Sequence, residues 1–195
     1  MGSSDLLLEV RGVTKTFPGV RALGNVTFDV RVGEVHGLVG ENGAGKSTLM
    51  AVASGAMIAN EGTVRIAGEE MRGDPERARA LGLAIVRQEP ALMPDLSVAE
   101  NLFLGLPVEK RPPLAQVIDW AARLVGKWSD DVAINVRDHV ATLNPEERFI
   151  VEIVKALACE PKVLVLDEPT EHLVADDVER LFKRIRERAA KKKAG

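Results

Sequence analysis

Apolar positions recur along this chain in two alternating rhythms. Leu6 to Val10 is an apolar run, Val26 to Val30 alternates apolar and polar, and Gly33 marks a turn before Glu34 to Val39. Residues 6–39 therefore read as β structure, and Val35 to Val39 reads as a fully buried strand. A helix is predicted over 46–56, a turn at Asn60 to Gly62, a short strand over Thr63 to Ala67 and another turn at Gly68. Asp74 to Leu81 reads as a helix and Leu83 to Arg87 as a buried strand. Ser97 and Glu100 stand at capping-box spacing and open a helix through Leu104.

Pro107, Pro112 and Pro113 mark a loop. From Leu114 onward, Val117, Ile118, Ala121, Leu124 and Val125 keep helical spacing. Trp120 and Trp128 beside them read as packing residues. Asn144-Pro145-Glu146-Glu147 is a strong helix start, with a cap, a proline at the first position and a glutamate at the third. That helix runs to about Ala158, with Ile150, Ile153, Val154 and Leu157 on one face. Val163 to Leu166 reads as a buried strand. A last helix opens near Ala175, with Val178, Leu181, Phe182 and Ile185 inward. Strands alternate with helices before residue 90 and after 160, and a mostly helical block lies between. The organisation is an α/β core with a helical insertion.

Composition narrows the function classes. The 195 residues are 46% hydrophobic and 28% charged, which suits a globular domain rather than a disordered or collagen-like chain. A net charge of −3 argues against a basic nucleic-acid binder, and 4% aromatics with no tyrosine argue against a base-stacking platform. No apolar run approaches the ~18 residues that span a bilayer. Met1 to Asp5 lacks the pattern of a signal peptide, and Gly2 to Ser4 reads as an expression scar. The single cysteine, Cys159, excludes an internal disulfide, fits a reducing compartment and reads as a buried structural thiol.

The chemistry concentrates at residues 40–48, Gly-Glu-Asn-Gly-Ala-Gly-Lys-Ser-Thr. This is GxxxxGK(S/T) between a predicted strand and a predicted helix, the context a phosphate loop requires. Gly40, Gly43 and Gly45 let the backbone curl so that its N–H groups point at phosphate oxygens. Glu41, Asn42, Ala44 and Thr48 complete the loop, and the helix behind adds positive potential. Lys46 neutralises the β- and γ-phosphates, and Ser47 offers a hydroxyl to Mg²⁺. A second anchor is Val163-Leu164-Val165-Leu166-Asp167-Glu168-Pro169, a hydrophobic strand ending in two carboxylates. Asp167 is the candidate Mg²⁺ ligand and Glu168 the candidate general base.

In their order along the chain these motifs resemble the ATP-binding-cassette (ABC) ATPases, and the resemblance covers nearly the whole sequence. Gln88, in Ile85-Val86-Arg87-Gln88-Glu89-Pro90, looks like the family's Q-loop glutamine, which ligates Mg²⁺ and links core to helical subdomain. Phe17, in Thr14-Lys15-Thr16-Phe17-Pro18-Gly19-Val20, looks like the aromatic that stacks on adenine, with Val20 beside it. Three stretches resemble sugar-importer ATPases of the ribose and galactose type: Phe17 to Leu23, Arg87 to Leu104, and Val151 to Leu157. The resemblance implies a nucleotide-binding core over 5–90 and 159–195 with an antiparallel β subdomain, and a helical subdomain over 91–158. It also implies ATP and Mg²⁺ as cofactors, and transmembrane permease subunits and a second nucleotide-binding domain as partners. A solute-binding protein is implied as an indirect partner, no nucleic acid is expected, and the place implied is the inner face of the cell membrane. The alternatives are a degenerate ATP-binding partner with weak hydrolysis and a soluble non-transport ATPase.

Three segments depart from the family. Its signature Leu-Ser-Gly-Gly-Gln is replaced by Leu143-Asn144-Pro145-Glu146-Glu147. Pro145 has no N–H to give, and Glu146 and Glu147 put carboxylates where an anion is expected. At ~5 Å and an effective dielectric near 20, each like-charge pair costs roughly 3 kcal/mol before screening. After the second anchor, Thr170-Glu171-His172-Leu173-Val174 puts valine where the family has aspartate, and His172 reads as a solvated loop residue. His36 is expected in a buried strand and His139 in a loop, neither with an evident partner. The family's switch histidine and last strands are not matched before Gly195, so the expectation is a core truncated at its C-terminus.

Overall fold

The computed structural model of the chain describes residues 5–128, 134–170 and 173–193. The chain divides into two units, Met1–Leu83 with Arg184–Gly195, and Ala84–Lys183.

The first unit is built on β1 (Leu6–Phe17), which lies between β2 (Val20–Arg31) and β3 (Glu61–Ile66) in an antiparallel sheet completed by β4 (Glu69–Met71). This is the antiparallel β portion that the family resemblance implied. Leu8 and Val10 point into the core at even positions, yet Val13 is equally buried at an odd one. The ladder shifts register between Val10 and Val13, where Gly12 adopts φ 62. One extra residue there flips the facing of everything after it. Two helices follow in this unit, α1 (Lys46–Ala53) and α2 (Pro75–Ala80). The Asp74 side chain caps α2 by accepting from the Arg77 N–H at 2.9 Å. β4 carries too little pattern to read as a strand from sequence, being three residues with two adjacent glutamates.

One expectation fails here. Val35 to Val39 forms no strand, and Val39 is 91% exposed with Val35 and Leu38 also open to solvent. A strand buried on both faces needs ladder neighbours on each side. Among the described residues, none pairs with this run. His36 is correspondingly exposed, and its Nε2 lies 2.7 Å from Glu34 Oε1, so it does have a partner.

In the second unit β5 (Leu83–Val86) pairs with β6 (Val163–Leu166). This unit also holds α3 (Val98–Gly105), α4 (Val117–Gly126), α5 (Pro145–Ala158) and the first part of α6 (Ala175–Lys193), whose residues from Arg184 on are assigned to the first unit. The core gathers Val98 and Leu102 of α3, Ala121 and Val125 of α4, and Phe149, Ile150 and Ile153 of α5, all buried. α5 is the expected capped helix. Asn144 Oδ1 accepts from the Glu147 N–H, and Glu147 Oε2 accepts from the Asn144 N–H, each at 2.9 Å. No helix among the described residues is long and apolar enough to cross a membrane.

Three side chains depart from the helical pattern. Leu114 is exposed because residues 114–116 form a 3₁₀ turn ahead of α4, and the tighter winding rotates it off the apolar stripe. Phe182 is exposed rather than inward, while Asp177 on the same helix is buried. Asp177 Oδ1 accepts from the Trp128 indole N–H at 3.3 Å and from Arg180 at 3.0 Å. A buried indole N–H needs an acceptor, and that need turns Asp177 inward. Cys159 is half-buried at the end of α5, its thiol directed at the Gly105 carbonyl at 3.4 Å, rather than sealed in the core.

α3 opens with the capping box that the spacing predicts. Ser97 Oγ accepts from the Glu100 N–H at 3.2 Å, and Glu100 Oε2 accepts from the Ser97 N–H at 2.7 Å and its hydroxyl at 2.6 Å. The hydroxyl bond first, then the backbone bond, hold the Glu100 carboxyl below its usual value of 4.5. The stabilisation is present above that ordinary value and fades as pH falls through the lowered one. Glu100→Gln is expected to flatten the loss of stability on acidification below about pH 4.5. Denaturant unfolding at stepped pH measures it, and an unchanged acid slope would refute the capping account.

Candidate phosphate-binding site

The loop from Gly40 to Gly45 leads directly into α1. Gly43 and Gly45 adopt φ 84 and φ 90, the left-handed region that glycine enters at little cost. Gly40 does not need that freedom, and its role is space: a Cβ there would stand 3.2 Å from Ala44 Cβ. Gly45 is held more tightly. A Cβ on it would stand 2.4 Å from the Ala22 carbonyl oxygen of β2.

Gly45 also occupies the cap position of α1, with no side-chain hydrogen bond and no acidic residue in the first turn. By contrast α2, α3 and α5 are capped by Asp74, Ser97 and Asn144. The first N–H groups of any α-helix have no partner within the helix, and at α1 the sequence supplies no side chain for them. Positive potential and free donors meet there, which is what a bound phosphate uses. Lys46 folds back over the loop, and its Nζ donates to the Gly40 carbonyl at 2.8 Å and the Glu41 carbonyl at 3.1 Å. The ammonium is thus stored within the loop. Glu41, Asn42 and Ser47 are exposed, and Ala44 and Thr48 lie in the same turn and first helical residues.

Phe17 and Val20 belong to the same unit. They pair across the ladder on either side of the Pro18-Gly19 turn, and both rings and branches face solvent. Lys15 Nζ lies 5.5 Å from the Phe17 ring centroid and donates to the Ile58 carbonyl at 2.8 Å. An exposed aromatic at a hairpin tip leaves ring surface open to a planar ligand.

The remaining candidates are in the second unit. The Asp167 N–H, one residue past the end of β6, donates to the carbonyl of Val86, the last residue of β5, at 2.9 Å. Both strands therefore finish on the same side, and Gln88 and the Asp167-Glu168 pair leave from one end of the two-stranded sheet. Glu168 has φ 46, a left-handed conformation uncommon for a residue with a side chain. Such backbone settings collect at functional sites. Nothing in the sequence signals it, because the strain belongs to the turn after β6 rather than to the residue type.

A model of the family described as ABC transporter matches residues 23–171. The chain belongs to the ABC transporter family. It is 44% identical over 194 residues to the ribose import ATP-binding protein RbsA 1 of Streptomyces avermitilis, covering 96% of this chain and 36% of that protein. It is 46% identical over 185 residues to the ribose import ATP-binding protein RbsA 3 of Rhizobium meliloti, covering 92% of this chain and 35% of the relative. Among solved structures, an ATP-binding subunit of an ABC transporter superposes with a TM-score of 0.78 at 27% identity, covering 95% of this chain and 75% of that one. The chain thus spans about a third of the length of these curated relatives.

The segment at the ABC signature position is closed on itself. Glu147 serves the Asn144 cap, and Glu146 Oε1 accepts from the Val174 N–H at 3.1 Å. The two carboxylates that the sequence placed in an anion's path are each engaged with backbone N–H groups. Leu173 is buried and Val174 exposed; Glu171 and His172 lie outside the described residues. His139 precedes a short 3₁₀ turn and its carbonyl accepts from the Thr142 hydroxyl at 2.8 Å.

The two left-handed glycines of the candidate phosphate loop separate experimentally. A Cβ at Gly43 meets nothing within 4 Å, whereas one at Gly45 meets the Ala22 carbonyl. Gly43→Ala is expected to cost about 1 kcal/mol for the backbone alone. Gly45→Ala adds a clash of about 1–3 kcal/mol. Denaturant unfolding of both variants measures the difference, and equal costs would contradict the close approach.

Proposed function

We propose that this chain is the ATP-binding part of an importer for a sugar-like solute, coupling ATP binding and hydrolysis to a membrane permease. The uncapped start of α1, with Lys46 stored in the loop before it, is the observation that carries this reading. Relatives named as ribose import ATP-binding proteins support the solute class. Residues 5–90 and 159–195 act as the nucleotide-binding core and 91–158 as the helical subdomain that meets the permease. A second nucleotide-binding domain completes the working unit, a solute-binding protein delivers cargo outside, and the chain sits on the inner face of the membrane.

Each residue then has a task. Phe17 and Val20 hold the base. The backbone of Gly40, Glu41, Asn42, Gly43, Ala44 and Gly45 wraps the phosphates, with Thr48 in the first turn of α1. Lys46 exchanges its two carbonyl contacts for phosphate oxygens. Ser47, Gln88 and Asp167 offer hydroxyl, amide and carboxylate oxygens, hard donors of the kind Mg²⁺ takes. When bound, Mg²⁺ supplies charge neutralisation at the phosphates. Glu168 accepts a proton from water as the water oxygen bonds to the terminal phosphorus. The bond from that phosphorus to the bridging oxygen breaks, and its electron pair leaves with ADP.

Two variants test the assignment. Lys46→Ala is expected to weaken ATP binding by about 100-fold or more, since it removes the positive charge that the loop offers to the phosphates. Glu168→Gln is expected to bind ATP as the parent does but to lose about 10²–10⁴-fold in turnover. Calorimetric titration and phosphate release measure the two. Unchanged affinity in the first, or unchanged turnover in the second, would overturn the corresponding role.

A further inference from the structure

The second unit contains a buried charge pair that the proposed chemistry does not use. Glu152 of α5 is 3% exposed. Its Oε2 lies 2.5 Å from Lys155 Nζ, one turn further along the same helix, and the Lys155 side chain is only 17% exposed. Oε2 has no aligned hydrogen-bond partner, so the contact is an ion pair rather than a directed bond. A charge pair this deep gains little stability over apolar side chains of equal volume. Its directional contact is elsewhere: Lys155 Nζ donates to the Ala91 carbonyl at 2.7 Å. Ala91 stands three residues after Gln88 in an irregular segment.

Two further observations converge on that segment. Gly105, at the end of α3, has no Cβ, and one built there would stand 2.5 Å from Lys155 Cγ. The lysine stem reaches Ala91 through the space this glycine leaves. Two residues beyond Ala91, buried Asn101 accepts from the Met93 N–H at 2.7 Å and donates to the Met93 carbonyl at 3.0 Å. The far end of the segment is thereby fixed by α3, and the end nearer Gln88 by Lys155.

We propose that Lys155, aimed by Glu152 and admitted by Gly105, is a positioning residue that fixes the Gln88 segment through the Ala91 carbonyl. The role of Gln88 toward the cation rests on the function proposed above; the grip on the segment does not. The experiment therefore has two arms on the full chain. The first is amide hydrogen exchange without nucleotide, comparing Gln88, Glu89, Ala91 and Leu92 with the helical amides Val151 to Val154. The second is the Mg²⁺ concentration that half-saturates the cation-dependent gain in ATP binding.

Lys155→Met is expected to speed exchange at Gln88 to Leu92 by about tenfold while the helical amides stay as they are. The Mg²⁺ half-saturation point is expected to rise by about tenfold. Lys155→Arg, which keeps a donor, is expected to stay within about twofold of the parent in both arms. Gly105→Ala keeps both charges and is expected to reproduce the loosened exchange by displacing the stem. Should Lys155→Met fail to fold, Gly105→Ala and the paired Glu152→Leu/Lys155→Met variant decide the same question. Unchanged exchange at Gln88 to Leu92 in any folded variant that lacks the Lys155 contact overturns the proposal. Loosened exchange with no change in Mg²⁺ dependence overturns the link to the cation. Loss of ATP binding by the parent chain itself would instead defeat the proposed function and leave the exchange arm to decide the grip.

Discussion

No side chain fits at position 45. The Ala22 carbonyl stands where a Cβ would go, and the backbone there is left-handed. That contact seats the candidate phosphate loop against β2 where α1 begins. The same strand starts at Val20, across the hairpin from Phe17. One close approach of backbone to backbone thus sets the loop and the candidate base contact on a single piece of sheet. The uncapped amides of α1 follow from it, because a glycine in the cap position has no side chain to satisfy them.

The local signals were the most legible. Ser97 with Glu100, and Asn144 with Glu147, each cap the helix that their spacing announces. Capping is decided within four residues, so a sequence states it without reference to the rest of the fold. The candidate phosphate loop is a local pattern of the same kind. Its glycines, lysine and serine are contiguous, and their conformations are set by one turn.

What was hidden depends on distant partners. Val35 to Val39 has the composition of a buried strand, but burial requires neighbours that a hydrophobic run cannot summon by itself. Asp177 lies among charged residues of α6, and the Trp128 indole, 49 residues away in sequence, gives it an interior partner. The Gly12 bulge lets Val13 share a face with Val10, which strict alternation forbids. The left-handed Glu168 was hidden for another reason, since it is set by the turn after β6 and not by its residue type. The glutamates at 146 and 147 show the reverse case: their charge was plain, yet their use by the Val174 and Asn144 N–H groups needed three dimensions.

The length of α5 has a mechanical consequence. Near its start Glu146 holds the Val174 N–H, and nine residues later Lys155 holds the Ala91 carbonyl. At ~1.5 Å per residue the two grips are separated by roughly 14 Å of continuous helix. A hydrogen-bonded rod of that length tilts as one body and does not stretch. The two segments are therefore held to opposite ends of one rigid helix for as long as both hydrogen bonds last.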